Sequence, residues 1–223
     1  MQIKEYADRE MMMIHLADTI ASELNSCLMT HDLASLAVPG GTTPGPIFDS
    51  LCCASLDWGR VKVLLTDERW VPETSDRSNT RLLRQRLLVE KAAAATYLPL
   101  YADAPVPEDR LEALSAALAP ALPLSILLLG MGADMHTASL FPGADLLAEA
   151  LAPDAPPLMA MRAPGAPEPR ITLTAPVLRG AMSTHVVITG ADKRAAIERA
   201  RHLSPAEAPI ALVLGQATVH WAT

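Results

Sequence analysis

Leu127-Leu128-Leu129-Gly130-Met131-Gly132-Ala133-Asp134-Met135-His136-Thr137-Ala138-Ser139-Leu140-Phe141-Pro142 runs from a wholly apolar segment straight into a loop that carries an aspartate and a histidine. A continuous apolar run ending in glycine reads as a strand buried on both faces, as strands of a parallel sheet are. In open α/β sheets ligands bind outside the carboxyl ends of the strands, so this loop marks the place where chemistry is expected. Its glycines let backbone approach a ligand closely. Imidazole titrates near neutral pH and can take a proton from water and return it to a leaving oxygen within one turnover. Asp134, two residues before His136, is placed to orient the ring or to be an independent polar loop residue, and spacing leaves both readings open.

Outward from this stretch, short apolar strands alternate with helical patterns. Met12, Leu16, Ile20 and Leu24 recur at helical spacing and predict an amphipathic helix ending near Thr30. Strands are expected at Ala34 to Val38, Val61 to Thr66, Ser125 to Leu129, Leu158 to Met161, Ile171 to Leu173, His185 to Thr189 and Ile210 to Leu214. Helices are expected at Thr43 to Leu56, Asn79 to Lys91, Pro105 to Ala121 and Asp192 to Arg201. Strand–helix alternation with apolar strands implies an α/β fold: a single-domain, open, mainly parallel sheet with helices on both faces, Rossmann-like, over residues 1–223. Pro153 to Pro169 holds six of the 19 prolines and reads as a rigid surface excursion, because strands resume directly after it.

Composition narrows the function classes. Hydrophobic residues at 50% and charged residues at 19% describe a folded globular chain. The 18 Lys and Arg against 25 Asp and Glu give a net charge of -7, which argues against a broad nucleic-acid surface and requires any anionic ligand to be held locally. Cys27, Cys52 and Cys53 have no metal-type or disulfide-framework spacing, and the charged segment Lys4 to Glu10 is unlike a secretory signal. No apolar run reaches the roughly 18 residues of a membrane span. The expectation is a cytoplasmic protein with neither nucleic acid nor membrane as partner.

Further segments place polar groups at strand-to-helix junctions. Pro39-Gly40-Gly41-Thr42-Thr43-Pro44 offers glycines, hydroxyls and free backbone N–H groups to an anion; it equally suits a glycine turn with a threonine N-cap. In Thr66-Asp67-Glu68-Arg69-Trp70-Val71-Pro72, Asp67 can orient a water or a sugar hydroxyl and Arg69 can bind phosphate or a developing oxyanion, unless the two form an ordinary surface ion pair. Lys193, in Thr189-Gly190-Ala191-Asp192-Lys193, is a point charge for phosphate or a solvated first-turn lysine. Arg170 opens a strand, the end that the carboxyl-edge rule disfavours. His15, His31, His185, His202 and His220 form no metal-ligand cluster by spacing and read as surface or core residues.

Taken in order, Pro39 to Pro44, Asp67 to Pro72 with Ser78-Asn79, Gly130 to Pro142, Pro169 to Leu178, Thr189 to Lys193 and Val213 to Trp221 resemble the 6-phosphogluconolactonase family, within the wider group that includes glucosamine-6-phosphate deaminase. His136-Thr137-Ala138-Ser139-Leu140-Phe141-Pro142 is characteristic of the lactonases. The resemblance implies hydrolysis of 6-phosphoglucono-1,5-lactone to 6-phosphogluconate, in the pentose phosphate or Entner–Doudoroff route, without metal or other cofactor. It implies His136 as general base and then acid, assisted by Asp134, with Asp67 a further catalytic group. Gly40, Gly41, Thr42, Thr43, Arg69, Arg170 and Lys193 would hold phosphate and carbonyl oxygens. The expected partner is a small phosphorylated sugar lactone, and the expected state a monomer or small homo-oligomer.

One position departs from the pattern. Lactonases usually carry Asp-Gly-His where this chain has Asp134-Met135-His136. Should the loop need a positive φ there, methionine costs roughly 1–2 kcal/mol or shifts the loop, and a displacement on the order of 1 Å at His136 lowers the rate on the order of 100-fold. Otherwise Met135 packs over the substrate or beneath the loop. Two alternatives accompany the lactonase expectation: an isomerase or deaminase with Asp67 as base, against which Thr137-Ala138-Ser139 speaks, and a sugar-phosphate binding module in which the histidine loop is misplaced.

Overall fold

The computed structural model describes residues 1–223. In chain order its main elements are β1 (Gln2–Glu5), α1 (Arg9–Leu28), β2 (Ala34–Val38), α2 (Gly45–Leu51), β3 (Val61–Leu65), β4 (Asp67–Arg69), α3 (Asn79–Arg86), β5 (Thr96–Leu98), α4 (Leu111–Leu118), β6 (Ile126–Gly130), α5 (Leu147–Leu151), β7 (Leu158–Met161), β8 (Arg170–Leu173), α6 (Ala175–Arg179), β9 (Ser183–Thr189), α7 (Ala191–Ala200), α8 (Ala211–Leu214) and β10 (Thr218–Ala222). Seven strands form a parallel sheet in the order β1-β10-β9-β6-β2-β3-β5, with the helices around it. The expected α/β architecture is present. The central strands are wholly apolar and buried because helices cover both their faces; Leu36, Ala37, Leu127, Leu128 and Leu129 have no exposed surface. Helix α1 packs Met12, Leu16, Ile20 and Leu24 inward, and its first turn is capped by Asp8, which accepts from the Met11 N–H at 2.8 Å. No helix is long and apolar enough to cross a membrane.

From β2 the chain moves outward through β3 to β5, then returns to place β6 on the other side of β2 and continues through β9 to β10. Strands β2 and β6 are therefore neighbours whose following loops leave in opposite directions. They pair only at Leu36 with Ile126 and Ala37 with Leu127. Beyond those pairs the two loops part, which opens a crevice at the topological switch point.

Several expectations need correction. Leu158–Met161 and Ile171–Leu173 are strands, but they belong to a separate antiparallel sheet, β4-β8-β7, and not to the parallel one. The proline-rich Pro153 to Pro169 is thus no simple surface excursion: β7 lies within it, with Leu158, Ala160 and Met161 buried. Ile210 to Leu214 is not a strand; Ala211–Leu214 is one helical turn, and the parallel strand comes after it at Thr218–Ala222. A five-residue apolar run carries no period that separates a buried turn of helix from a buried strand. The helices expected from Thr43 and from Pro105 are shorter. Pro44 holds the entry to α2, and the Pro105 segment divides into 3-10 turns flanking α4. Strands β1, β4 and β5 were not foreseen; all are short, and β1 and β5 are edge strands.

Candidate active site

At the crevice between β2 and β6 lies a pocket of about 290 Å³ into which nine of the ten expected site residues project: Gly40, Gly41, Thr42, Thr43, Asp67, Arg69, His136, Arg170 and Lys193. The tenth, Asp134, reaches it through His136. Its Oδ1 accepts from the His136 ring Nδ1 at 2.5 Å and from the His136 backbone N–H at 3.2 Å. Because a carboxylate only accepts, the Nδ1 of His136 carries the proton in this pair, and Nε2 is left free as a proton acceptor. No three His, Cys, Asp or Glu side chains are grouped to hold a metal ion.

The histidine loop is tightly closed. Gly132 N–H donates to the His136 carbonyl and Met135 N–H to the Gly132 carbonyl, each at 3.0 Å, while the Ile210 N–H holds the Met135 carbonyl at 3.1 Å. Met135 has φ of 67°, the left-handed conformation for which glycine would be suited, and its side chain is half-buried against the core. Methionine therefore occupies a backbone conformation that disfavours a side chain, and the Asp134–His136 pair is formed around it. Gly132 is required by space: a Cβ there would overlap the His136 ring. The His136 ring also stacks on Phe141, with centroids 4.0 Å apart and planes 25° apart. The Arg170 guanidinium lies 5.2 Å from the same Phe141 ring, so one aromatic side chain contacts both the histidine and an arginine.

Arg170 comes into the pocket because β8 is antiparallel to β4. Its first residue, Arg170, pairs with the last residue of β4, Arg69. The carboxyl-edge rule concerns parallel strands and does not apply to this second sheet. Asp67 lies between the cations: Ser139 Oγ donates to its Oδ2 at 2.6 Å, and Arg170 Nη1 is 3.8 Å from that oxygen. Burial draws the Arg170 guanidinium below the ordinary arginine range; Asp67 opposes that effect and Arg69 adds to it. The Nε atoms of Arg69 and Arg170 are both buried without a hydrogen-bond partner. Two orphan guanidinium donors side by side make a site that an anion would satisfy. The Gly40–Thr43 loop, with Gly41 at φ 85°, faces them from the end of β2, and Lys193 approaches from the first turn of α7.

Reading the sequence did not single out Asn79, Ser139, Phe141 or Glu68 as site residues. Ser139 and Phe141 stood inside the quoted stretch, but their contacts with Asp67 and Arg170 span 72 and 29 residues of chain and have no local spacing signal.

An open parallel sheet whose switch point carries a carboxylate-held histidine opposite a cluster of cations defines an α/β protein suited to acid–base chemistry on an anionic ligand. The family model for glucosamine-6-phosphate isomerases/6-phosphogluconolactonase matches residues 7–221, and the chain belongs to this family. It is 41% identical over 214 residues to a 6-phosphogluconolactonase of Rhizobium meliloti, covering 93% of this chain and 92% of that one. It is 40% identical over 223 residues to a 6-phosphogluconolactonase of Mesorhizobium japonicum, covering 97% and 93%. A crystal structure of a 6-phosphogluconolactonase from Shewanella baltica superimposes with a TM-score of 0.96 at 32% identity, over 100% of this chain and 97% of that one.

Proposed function

We propose that this protein hydrolyses 6-phosphoglucono-1,5-lactone to 6-phosphogluconate. The observation that carries the reading is the Asp134–His136 pair at 2.5 Å, with its free Nε2 at a pocket lined by Arg69, Arg170 and Lys193. In this reading His136 Nε2 takes a proton from a water as that water attacks the lactone carbonyl carbon. Asp134 stabilises the imidazolium, and a neighbouring guanidinium stabilises the oxyanion. Collapse of the tetrahedral intermediate breaks the bond to the ring oxygen, which takes the proton back from His136. The products are a free hydroxyl and a carboxylic acid, which loses its remaining proton to solvent to become the carboxylate. The Gly40–Thr43 loop and Lys193 hold the phosphate, while Asp67, fixed by Ser139, faces the sugar hydroxyls.

The isomerase alternative needs Asp67 free to act as base. A 2.6 Å hydrogen bond from Ser139 and a guanidinium at 3.8 Å speak against that role. A net charge of -7 with cations gathered at the pocket favours a small anionic substrate, such as a phosphorylated lactone, over nucleic acid. The protein is proposed to act in the cytoplasm as a monomer or small homo-oligomer.

The test is lactone opening with the spontaneous rate subtracted, for the natural protein, His136→Ala and Asp134→Asn. The natural protein should accelerate opening, His136→Ala should abolish the acceleration, and Asp134→Asn should lower kcat on the order of 100-fold by disturbing the ring's tautomer and orientation. A natural protein no faster than the spontaneous reaction, or an His136→Ala variant that keeps its rate, would sink this reading.

A further inference from the structure

Glu68 has no exposed surface and no cation within ion-pairing distance, yet it stands between the two pocket residues Asp67 and Arg69 on β4. Its carboxylate is surrounded by donors. Oε1 accepts from the backbone N–H groups of Arg69 and Asn79, each at 2.8 Å. Oε2 accepts from the Thr80 N–H at 2.7 Å, from Thr80 Oγ1 at 2.8 Å and from Ser78 Oγ at 3.2 Å. Burial pushes this carboxyl up from its ordinary range, and the bonds from Asn79, Thr80 and Arg69 oppose that effect.

A lone buried carboxylate is costly to keep. At the start of α3 Ser78 Oγ accepts only from the Arg81 N–H, at 3.2 Å, so Glu68, which takes the Asn79 and Thr80 N–H groups, completes the cap. Beyond the cap, Glu68 ties β4 to the start of α3, and that tie ends in the pocket. Asn79 Nδ2 donates to the Asp67 carbonyl at 3.0 Å, and the Asn79 side chain packs so closely on Gly40 that a Cβ at Gly40 would overlap it. One carboxylate thus fixes Arg69 through its backbone, and Asp67 and the Gly40 loop through Asn79. None of its partners belongs to the histidine loop.

We infer that Glu68 is a positioning residue for substrate binding, holding the Gly40–Thr43 loop and the Asp67–Arg69 strand in register with each other through Asn79. The inference rests on the lactonase reading for the identity of the ligand. Glu68→Gln keeps the shape but places an NH2 group in a shell of donors. Turned one way it faces the N–H groups of Arg69 and Asn79; turned the other it faces the Thr80 N–H, which cannot reverse as the hydroxyls can.

The experiment is calorimetric binding of 6-phosphogluconate, with KM and kcat for the lactone, in the natural protein, Glu68→Gln, Asn79→Ala and the double variant. Asn79→Ala leaves the carboxylate's own bonds in place and serves if Glu68→Gln does not fold. Each single variant should raise Kd and KM about tenfold with kcat within about threefold, and the double variant should be no worse than the weaker-binding single one. Melting temperatures that fall while Kd and KM stay unchanged would make Glu68 merely structural and overturn the inference. So would an equal loss in kcat, or an Asn79→Ala variant that binds normally. A natural protein that binds 6-phosphogluconate without opening the lactone would overturn the lactonase reading instead, leaving the inference to be judged on Kd.

Discussion

Arg69 and Arg170 stand directly opposite each other across β4 and β8, two like charges in one cross-strand pair at the mouth of the switch-point crevice. Like charges so placed are destabilising, and each guanidinium here also keeps an unpartnered Nε. Asp67 and Ser139 meet Arg170 directly, and Glu168 lies near enough to act on both arginines, yet neither Nε gains a hydrogen bond. The arrangement stores an unmet demand for negative charge, which a ligand can satisfy.

A phosphorylated ligand should therefore stabilise the fold through this pair. At a concentration 100 times its Kd, 6-phosphogluconate would add about 2.7 kcal/mol, a rise in Tm of about 5 to 10 °C for a chain of this size. Arg170→Gln should lose most of that rise. Differential scanning fluorimetry of both proteins with and without the ligand checks it, and equal rises in the two would exclude Arg170 from the binding site.

How much of this was legible in the sequence depends on how far each signal reaches along the chain. His136 was readable because the strand, the glycines and the titratable ring are contiguous. Gly40 to Thr43 and Lys193 were readable for the same reason, each following a strand of the parallel sheet. Arg170 ran against the rule of strand ends because nothing local reveals that β8 pairs antiparallel with β4. Glu68 looked like one more charged residue in an acidic–basic cluster, since burial of a carboxylate is decided by a shell drawn from residues 69 to 80 folding back over it. Ile210 to Leu214 failed for want of length, and β1 for its polar sequence: Gln2–Glu5 is mostly exposed at the sheet edge.

Met135 gives a prediction about tolerance. Its left-handed backbone carries a cost of about 1 kcal/mol for a side chain, but the loop is closed on both sides of it and its carbonyl is held by Ile210. Met135→Gly relieves the strain while it gives up partial burial and adds chain entropy to the unfolded state, so stability should change by less than about 1 kcal/mol. Because His136 is already held by Asp134, kcat should stay within about threefold. Met135→Val, branched at a positive φ, should destabilise by about 2 kcal/mol. Urea unfolding and steady-state kinetics of the two variants test this. A large gain in kcat from glycine would mean that methionine does displace the histidine.

The last prediction concerns a buried chain of hydrogen bonds outside the pocket. Tyr6 OH meets His220 Nδ1 at 2.8 Å, His220 Nε2 meets His185 Nδ1 at 3.0 Å, and His185 Nε2 meets Glu23 Oε2 at 2.9 Å. Glu23 accepts, so His185 Nε2 carries a proton. His220 then donates to His185, and Tyr6 donates to His220. With both imidazoles neutral every ring nitrogen is satisfied. Burial, together with His185, Lys4 and His15 nearby, lowers the His220 pKa from 6.5 to about 3, against the pull of Glu23. Below pH 6.5 the unfolded chain takes up a proton at this position that the folded one refuses, so stability is full above that pH and falls as the pH drops toward 3. The loss should reach about 2 kcal/mol by pH 5. His220→Gln keeps an acceptor for Tyr6 and a donor for His185 without a titratable ring, and its stability should be flatter between pH 7.5 and 5. Urea unfolding across that range decides the matter: identical pH slopes in the two proteins would show that His220 does not set the acid sensitivity.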